Sequence, residues 1–246
     1  MSPIQQMLLG VGAVATKTYV DDIFSTFLFK GTRSTLQITN GIDLAGEGGM
    51  VWSKVRDNAN NYGTIYDTEN GTGPQGGRLF NAPIGTNGTG TQSDGLTSFN
   101  SDGYTLGGNI FENSSDSTYG EDHVSWTFRK APGFFDVEFS GNNVAGRTIS
   151  HSLGSTPGMM LLKRTDRSGD DWYVYHKSIG ATKHLHLNET AAETTQTGIW
   201  NDTAPTSSVF SVGSDASTNA SGGTYICYIF AGGESTASEA VSVGFN

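Results

Sequence analysis

Short apolar runs separated by polar turns make up most of this chain. Residues 49–56 and 159–162 are the clearest runs, and each is followed by a turn rich in Asp, Asn, Ser or Gly and then by a second aromatic run. Strands joined by such turns are typical of antiparallel hairpins. Because residues 159–162 are apolar at every position, we expect them to lie centrally in a sheet. The pattern predicts an all-β protein.

The stretch 16–25 is an exception, because its spacing predicts a short helix. Thr16 or Thr18 would cap this helix. Tyr19 and Ile23 would then lie on one face, four positions apart. From residue 26 onwards the pattern returns to strands.

Features of the first half of the chain recur in the same order in the second half. The offset between matched positions begins at 110, holds at 109 and falls to 102, as shortened loops would produce. Two copies of this length favour two small antiparallel β-sandwiches over a solenoid array. The matched pairs are Phe29 with Phe139, Met50 with Met159, Asp57 with Asp166, Tyr66 with Tyr175, Tyr104 with Phe210, and Trp126 with Tyr228.

The predicted fold is therefore all-β, with two tandem duplicated antiparallel β-sandwich repeats after a short, partly helical N-terminal segment. The parts are 1–25, an N-terminal docking or oligomerisation segment; 26–133, the first repeat; 134–234, the second repeat; and 235–246, a C-terminal tail.

The joint between the repeats is a sharp turn at Pro132 and Gly133, followed by two phenylalanines. Proline fixes its own φ and glycine accepts a positive φ, so this pair can end one strand and start another. The joint is too short and too apolar for a loose linker. We expect Phe134 and Phe135 to be buried between the repeats and to hold them as a rigid pair.

Composition and charge narrow the possible functions. Of 246 residues, 34 are glycine, 11% are aromatic and 15% are charged, which indicates a folded chain with many turns. The net charge of −10 would be repelled by phosphate backbones, so we expect no nucleic-acid partner. Cys227 is the single cysteine, so no intrachain disulfide can form, and its aromatic strand indicates a structural role.

The N-terminus contains an apolar run at residues 7–15. Gly10 and Gly12 interrupt this run, and no Lys or Arg precedes Lys17, which argues against a signal peptide. A membrane-spanning helix needs about 20 apolar residues, so we expect no membrane insertion. A docking or oligomerisation segment is the interpretation we adopt, with disorder in the isolated chain as the alternative.

Polar residues that could bind a metal occur in two settings. His184 and His186 alternate along a strand and would share one face, but no further ligand follows at a spacing that would complete a zinc site. The turns at 57–61 and 166–171 are rich in the oxygen ligands that Ca²⁺ prefers. The same residues are required by tight turns, and we favour that interpretation. The sequence therefore predicts no metal-ligating and no cofactor-binding residue.

Catalytic motifs are missing from the sequence. Asp136 and Glu138 share a strand face, but no carboxylate strand opposes them as glycoside hydrolysis would require. No nucleophile elbow, phosphate loop or zinc motif occurs, so we predict no catalytic residue and no enzyme. Trp200 and Tyr119, in polar loops, could stack on sugar rings or could simply anchor their loops.

Several stretches resemble a module of marine tailed-phage virion proteins, a family described as tail-fibre-type or concanavalin/laminin-G-like. They are residues 3–10, 39–44, 49–52, 98–107, 126–135 and 200–203. The resemblance implies a β-sandwich fold and a non-enzymatic structural protein of the phage particle, either a tail fibre or a tail-associated appendage. The alternative is a capsid-decorating or head-appendage (cement) protein. Implied partners are other virion proteins, bound through the N-terminal segment, further copies in a homotrimer, and a host-surface glycan.

Overall fold

Antiparallel strands dominate the computed structural model, which describes residues 18–58, 63–72, 78–80, 94–108, 112–141, 146–167 and 169–233. The strands are β1 (Phe24–Lys30), β2 (Leu36–Thr39), β3 (Gly49–Val55), β4 (Gly63–Asp67), β5 (Arg78–Phe80), β6 (Leu96–Asn100), β7 (Gly103–Leu106), β8 (Asp122–Arg129), β9 (Phe135–Gly141), β10 (Arg147–Ser150), β11 (Pro157–Arg164), β12 (Tyr173–His176), β13 (Lys183–His186), β14 (Thr194–Thr195), β15 (Val209–Val212) and β16 (Thr224–Ala231). The described part of the chain also contains four short helices: α1 (Val20–Ile23), α2 (Leu44–Glu47), α3 (Thr197–Trp200) and α4 (Ala216–Asn219).

The strands form two large and two small sheets, which confirms the all-β antiparallel prediction. The first large sheet has the order β1-β8-β3-β4-β5, and the first small sheet has the order β2-β7-β6. In the second half, β9-β16-β11-β12-β13-β14 form the large sheet and β10-β15 the small one. The strand order β1-β8-β3-β4-β5 thus corresponds, strand by strand, to β9-β16-β11-β12-β13. As predicted, the apolar strand β11 lies inside its sheet.

Strand register confirms most of the predicted duplication. Met50 lies opposite Phe128 in the first large sheet, and Met159 lies opposite Phe230 in the second. Both pairs come from matched positions.

One matched pair is wrong by one residue. Phe29 lies opposite His123, which corresponds to Tyr225 in the second repeat. Because Tyr225 lies opposite Ser140, Phe29 corresponds to Ser140 and not to Phe139. A slip of one position in a strand moves a side chain to the other face of the sheet, so aromatic identity misled the comparison here.

Two buried asparagines extend the duplication to side chains. Asn113 donates through Nδ2 to the carbonyl of Gly107 at 2.7 Å, and Asn219 donates to the carbonyl of Gly213 at 2.8 Å. Gly107 and Gly213 follow β7 and β15, the matched strands of the two small sheets. The same amide therefore satisfies the same buried carbonyl in both repeats.

Within the described residues, three hydrophobic cores separate four layers of sheet. An outer core in each repeat lies between the large and the small sheet, and a middle core lies between the two large sheets. The first outer core includes Ile38, Val51, Tyr66, Tyr104 and Leu106. The second outer core includes Ile149, Met160, Tyr175, Phe210 and Cys227. The middle core includes Met50, Ile65, Phe135, Val137, Leu161, Trp172, Val174, Ile226 and Tyr228. Burial of Cys227 in the second outer core agrees with its predicted structural role.

The joint between the repeats folds as predicted. Gly133 adopts a φ of +73°, and Ala131 bridges to Phe135 across the turn. Phe135 is fully buried in the middle core, and the half-buried Phe134 packs against the same core. Phe135 lies 5.0 Å, centroid to centroid, from Phe230. Burial of these rings supports the rigid-pair prediction.

The helices differ from the prediction. Tyr19 occupies the N-cap of α1, where its N–H donates to Asp22 Oδ2 at 2.8 Å, so the cap is not a threonine. Its side chain is 59% exposed and does not share the buried face of Ile23. Helix α2 was not predicted; its N-cap Asp43 accepts a hydrogen bond from the N–H of Gly46 at 2.8 Å.

Three predicted features lie wholly or partly outside the described residues. They are the N-terminal segment up to residue 17, most of the turn at 57–61, and the C-terminal tail. The boundaries of the predicted domains stay predictions.

Candidate functional site

A cluster of one histidine and two carboxylates lies at one end of the β12–β13 hairpin. Asp171 precedes β12, His186 ends β13, and Glu189 follows in the next turn. Tyr173 pairs with His186 across the hairpin. The antiparallel pairing therefore places residues that are distant in sequence at the same edge of the sheet.

The atoms of this carboxylate–histidine cluster are close together. His186 Nδ1 lies 3.0 Å from Glu189 Oε2 and 3.7 Å from Asp171 Oδ2. All three potential ligand atoms lie within 4.8 Å of one another. The side chains of His186, Asp171 and Glu189 are 18%, 26% and 43% exposed, so the cluster opens to solvent on the Glu189 side. It can hold a proton or a cation between an imidazole nitrogen and two carboxylates.

A buried amide orients one of the carboxylates. Asn188 donates through Nδ2 to Asp171 Oδ1 at 2.9 Å, and its Oδ1 accepts from the N–H of Trp172 at 2.8 Å. Leu187 donates its N–H to the carbonyl of Trp172 at 3.0 Å, which closes the hairpin end. Because Oδ1 of Asp171 is engaged in this way, Oδ2 is the oxygen that faces His186.

His184 lies beside the cluster, as expected for alternate residues of one strand. Its ring centroid is 5.0 Å from that of His186, and burial together with this neighbouring imidazole lowers the pKa of His184. No residue at a regular motif spacing completes a metal site with the two histidines, so the sequence predicted none. Asp171 and Glu189 reach His186 through the fold of the hairpin and not through a motif.

The two predicted turn aspartates bind the segments that begin the neighbouring strands β8 and β16. Asp57 accepts a hydrogen bond from the N–H of Glu121 at 2.9 Å. In the second repeat, Asp166 accepts from the N–H of Thr224 at 3.1 Å and from Arg164 Nε at 2.8 Å. The hydrogen bond from Arg164 lowers the pKa of Asp166 to about 2. These contacts occupy both carboxylates, and the choice between turn chemistry and Ca²⁺ binding stays a prediction.

Asp136 is a structural carboxylate. It is 2% exposed and accepts hydrogen bonds from the N–H and the Oγ of Ser152 at 2.8 and 2.7 Å. Lys130 Nζ lies 3.3 Å from its other oxygen. The side chain of Glu138 lies outside the described residues. Asp136 is therefore occupied by an internal ion pair.

Only one of the two aromatic residues considered for sugar stacking is at the surface. Trp200 is 1% exposed, lies in α3 and packs edge-on against Tyr175 at 6.0 Å between ring centroids. It therefore cannot stack on a sugar ring at the surface. Tyr119 is 37% exposed.

A polar cleft of about 320 Å³ adjoins the start of β11. It is lined by Gly154, Ser155, Thr156, Pro157, Lys177, Ser207 and Gly232. Lys177 donates to the carbonyl of Gly232 at 2.7 Å, and Ser155 is 6% exposed with no partner for its Oγ among the described residues. Hydroxyl groups and one ammonium suit a hydroxyl-bearing or anionic group.

Fold and site together define an all-β protein of layered antiparallel sheets with polar sites on its second repeat. The chain belongs to the family described as Domain of unknown function (DUF7483), whose model matches residues 20–238. No curated protein and no solved structure shows significant similarity to the chain. Among the described residues, no helix is both long enough and apolar enough to span a membrane.

Proposed function

We propose that the protein is a non-enzymatic structural protein of a tailed bacteriophage virion, either a tail fibre or a tail-associated appendage. The observation that carries this proposal is the middle core, which packs the two large sheets face to face. Two repeats that share a core move as one body, which suits a part that projects from a particle and bears mechanical load.

Contacts across the middle core support this mechanical role. Tyr228 of the second repeat donates its hydroxyl to Asp67 Oδ2 of the first at 2.9 Å, and both residues are fully buried. Phe128 of the first repeat packs against Phe135 and Phe230 of the second, each at 5.5 Å between ring centroids. Apolar packing and a buried hydrogen bond thus both oppose separation of the repeats.

Sequence features support an exterior position. The chain carries a net charge of −10 and only 14 Lys and Arg residues, which offers few cleavage sites to trypsin-like proteases. The resemblance to virion modules adds the N-terminal segment as the part that docks onto other virion proteins, and a homotrimer as the assembly. A host-surface glycan is the outward partner, with the polar cleft and Tyr119 as the surfaces to test.

The decisive experiment locates the protein on intact particles by antibody labelling and electron microscopy. We expect the label on the tail or on an appendage attached to it. Label confined to capsid faces would contradict the fibre proposal and favour a capsid-decorating or head-appendage (cement) protein. Complete absence from purified particles would contradict a virion role.

Deletion of residues 1–15 tests the docking segment. Incorporation into particles should be lost while circular dichroism and thermal unfolding of the purified protein stay unchanged. Undiminished incorporation would show that docking lies elsewhere.

Host contact is tested by competition for phage adsorption with the purified protein. Lys177→Ala and Tyr119→Ala should each reduce the competition if their surfaces contact the glycan, and Glu47→Gln on the exposed surface of α2 serves as the control. Turnover of host polysaccharide by the purified protein would overturn the non-enzymatic proposal.

A further inference from the structure

We propose that Asp171, His186 and Glu189 bind one divalent transition-metal ion of the zinc type. The proposal rests on the positions of three donor atoms and is independent of the proposed virion function.

The spacing of the donors fits a tetrahedral zinc site. With Zn–N and Zn–O bonds of about 2.0–2.2 Å, the ligand atoms of a tetrahedral site lie about 3.3–3.5 Å apart. His186 Nδ1 lies 3.0 Å from Glu189 Oε2 and 3.7 Å from Asp171 Oδ2, on either side of that value. The carboxylate oxygens of Asp171 and Glu189 lie within 4.8 Å of each other. A shift of about 1 Å by the exposed Glu189 side chain would bring all three donors to bonding positions around one ion.

The chemistry of the donors selects the ion. One imidazole nitrogen with two carboxylate oxygens is a ligand set that Zn²⁺ accepts, leaving a fourth position for water on the exposed side. Ca²⁺ requires about six to eight oxygen ligands and Mg²⁺ a near-ideal oxygen octahedron, and this cluster provides neither.

Charge also favours a cation at this place. In the described part of the chain, no Lys or Arg forms an ion pair with Asp171 or Glu189, and the imidazole of His186 is the group that both carboxylates approach. A divalent ion would compensate both carboxylates on a protein whose net charge is already −10.

Asn188 supplies the support that metal sites usually have around their ligands. Its buried amide holds Oδ1 of Asp171 at 2.9 Å and is itself fixed by the N–H of Trp172. Outer hydrogen bonds of this kind orient carboxylate ligands before the metal arrives. A bound ion would join the segment before β12 to the turn after β13, and so stabilise the hairpin.

Zinc titration of the full chain by calorimetry, after removal of metal with a chelator, tests the proposal. We expect one Zn²⁺ per chain and a rise in the unfolding temperature with zinc, and no such response to Ca²⁺ or Mg²⁺. His186→Ala and Glu189→Gln should each weaken zinc binding at least tenfold. Because Glu189 is 43% exposed, Glu189→Gln tests the site with little risk to folding.

His176→Ala is the matched control, since this half-buried histidine ends β12 and lies outside the cluster. It should leave zinc affinity unchanged. The proposal is overturned if the unaltered protein binds no zinc at micromolar concentration. It is equally overturned if Glu189→Gln and His186→Ala, both shown to be folded by circular dichroism, bind zinc like the unaltered protein, or if His176→Ala alone abolishes binding.

Discussion

Glu112 shows how a single residue can make the stability of this protein depend on pH. Its side chain is 1% exposed in the first repeat, where Tyr66 donates its hydroxyl to Oε1 at 3.1 Å. Its other oxygen, Oε2, has no partner among the described residues. Burial raises the pKa of Glu112 from 4.5 to about 7. The folded protein therefore binds this proton more tightly than the unfolded chain does.

The sign of the pH effect follows from that difference. Protonated Glu112 stabilises the fold fully below pH 4.5, the pKa of this group in the unfolded chain. The stabilisation is lost as the pH rises through about 7, its pKa in the folded protein. Glu112→Gln keeps a carbonyl acceptor for Tyr66 but carries no ionisable group. Relative to the unaltered protein, this variant should gain roughly 2–3 kcal/mol of unfolding free energy between pH 4 and pH 8, at about 1.36 kcal/mol per pKa unit.

Urea denaturation across this pH range measures the gain. Glu47→Gln in α2, an exposed glutamate, should show no such difference. If the unfolding free energies of Glu112→Gln and of the unaltered protein change with pH in the same way, Glu112 is not the group that causes the pH dependence.

At the scale of single elements, strand pairing and hairpins could be predicted from the sequence, because alternation and turn residues are local signals. β3, β4, β11 and β12 lie close to where apolar patterning placed them. Helix α2 was missed because it depends on an Asp43 cap inside a segment that reads as a turn. The match of Phe29 with Phe139 failed because it rested on residue identity. By register Phe29 corresponds to Ser140, and only the partner strands show this shift.

The candidate site was less predictable, for a related reason. His184 and His186 are visible as a pair on one strand face, whereas Asp171 and Glu189 are ordinary turn residues by composition. Their meeting depends on the register of β12 against β13 and on the buried amide of Asn188. Trp200 was placed at the surface because its neighbours are polar, yet its ring fills the second outer core.

The first residue of β9 links the joint to the middle core, and it can be tested directly. Phe135 is fully buried among Phe128, Phe230 and the other rings of the middle core. Phe135→Ala should cost about 3–5 kcal/mol of unfolding free energy, through lost burial and the cavity left behind. Chemical denaturation provides the measurement.

A matched control for this substitution lies on the edge strand β1. Leu28 is 58% exposed, so Leu28→Ala should change the unfolding free energy by less than about 0.5 kcal/mol. Equal effects of the two substitutions would mean that Phe135 does not hold the repeats together.

At the scale of the whole molecule, the three cores are coupled because each large sheet contributes one face to an outer core and the other to the middle core. In β11, for example, Leu161 packs in the middle core and Leu162 in the second outer core. Loss of either repeat would therefore expose an apolar sheet face of the other.

We accordingly expect both repeats to unfold in one transition. Differential scanning calorimetry should give a single peak, with a calorimetric enthalpy close to the van't Hoff enthalpy. Two resolved peaks, or a second repeat that stays folded after the first has melted, would contradict coupling through the middle core.

The middle core is built from matched positions on its two sides. Ile65 faces it from the first repeat and its counterpart Val174 from the second, and the same holds for Trp52 and Leu161 and for Phe128 and Phe230. Contact between the same patch on two copies is the arrangement of an isologous homodimer, in which any substitution appears twice. In a single chain the copies are free to diverge. Glu112 precedes Asn113, and Thr218 precedes the equivalent Asn219, so the buried acid of the first repeat is a threonine in the second. Lys130 and Gly232 follow the matched ends of β8 and β16 and differ as well. A buried acid in only one of the two repeats is therefore possible in a fused pair but not in a symmetric dimer.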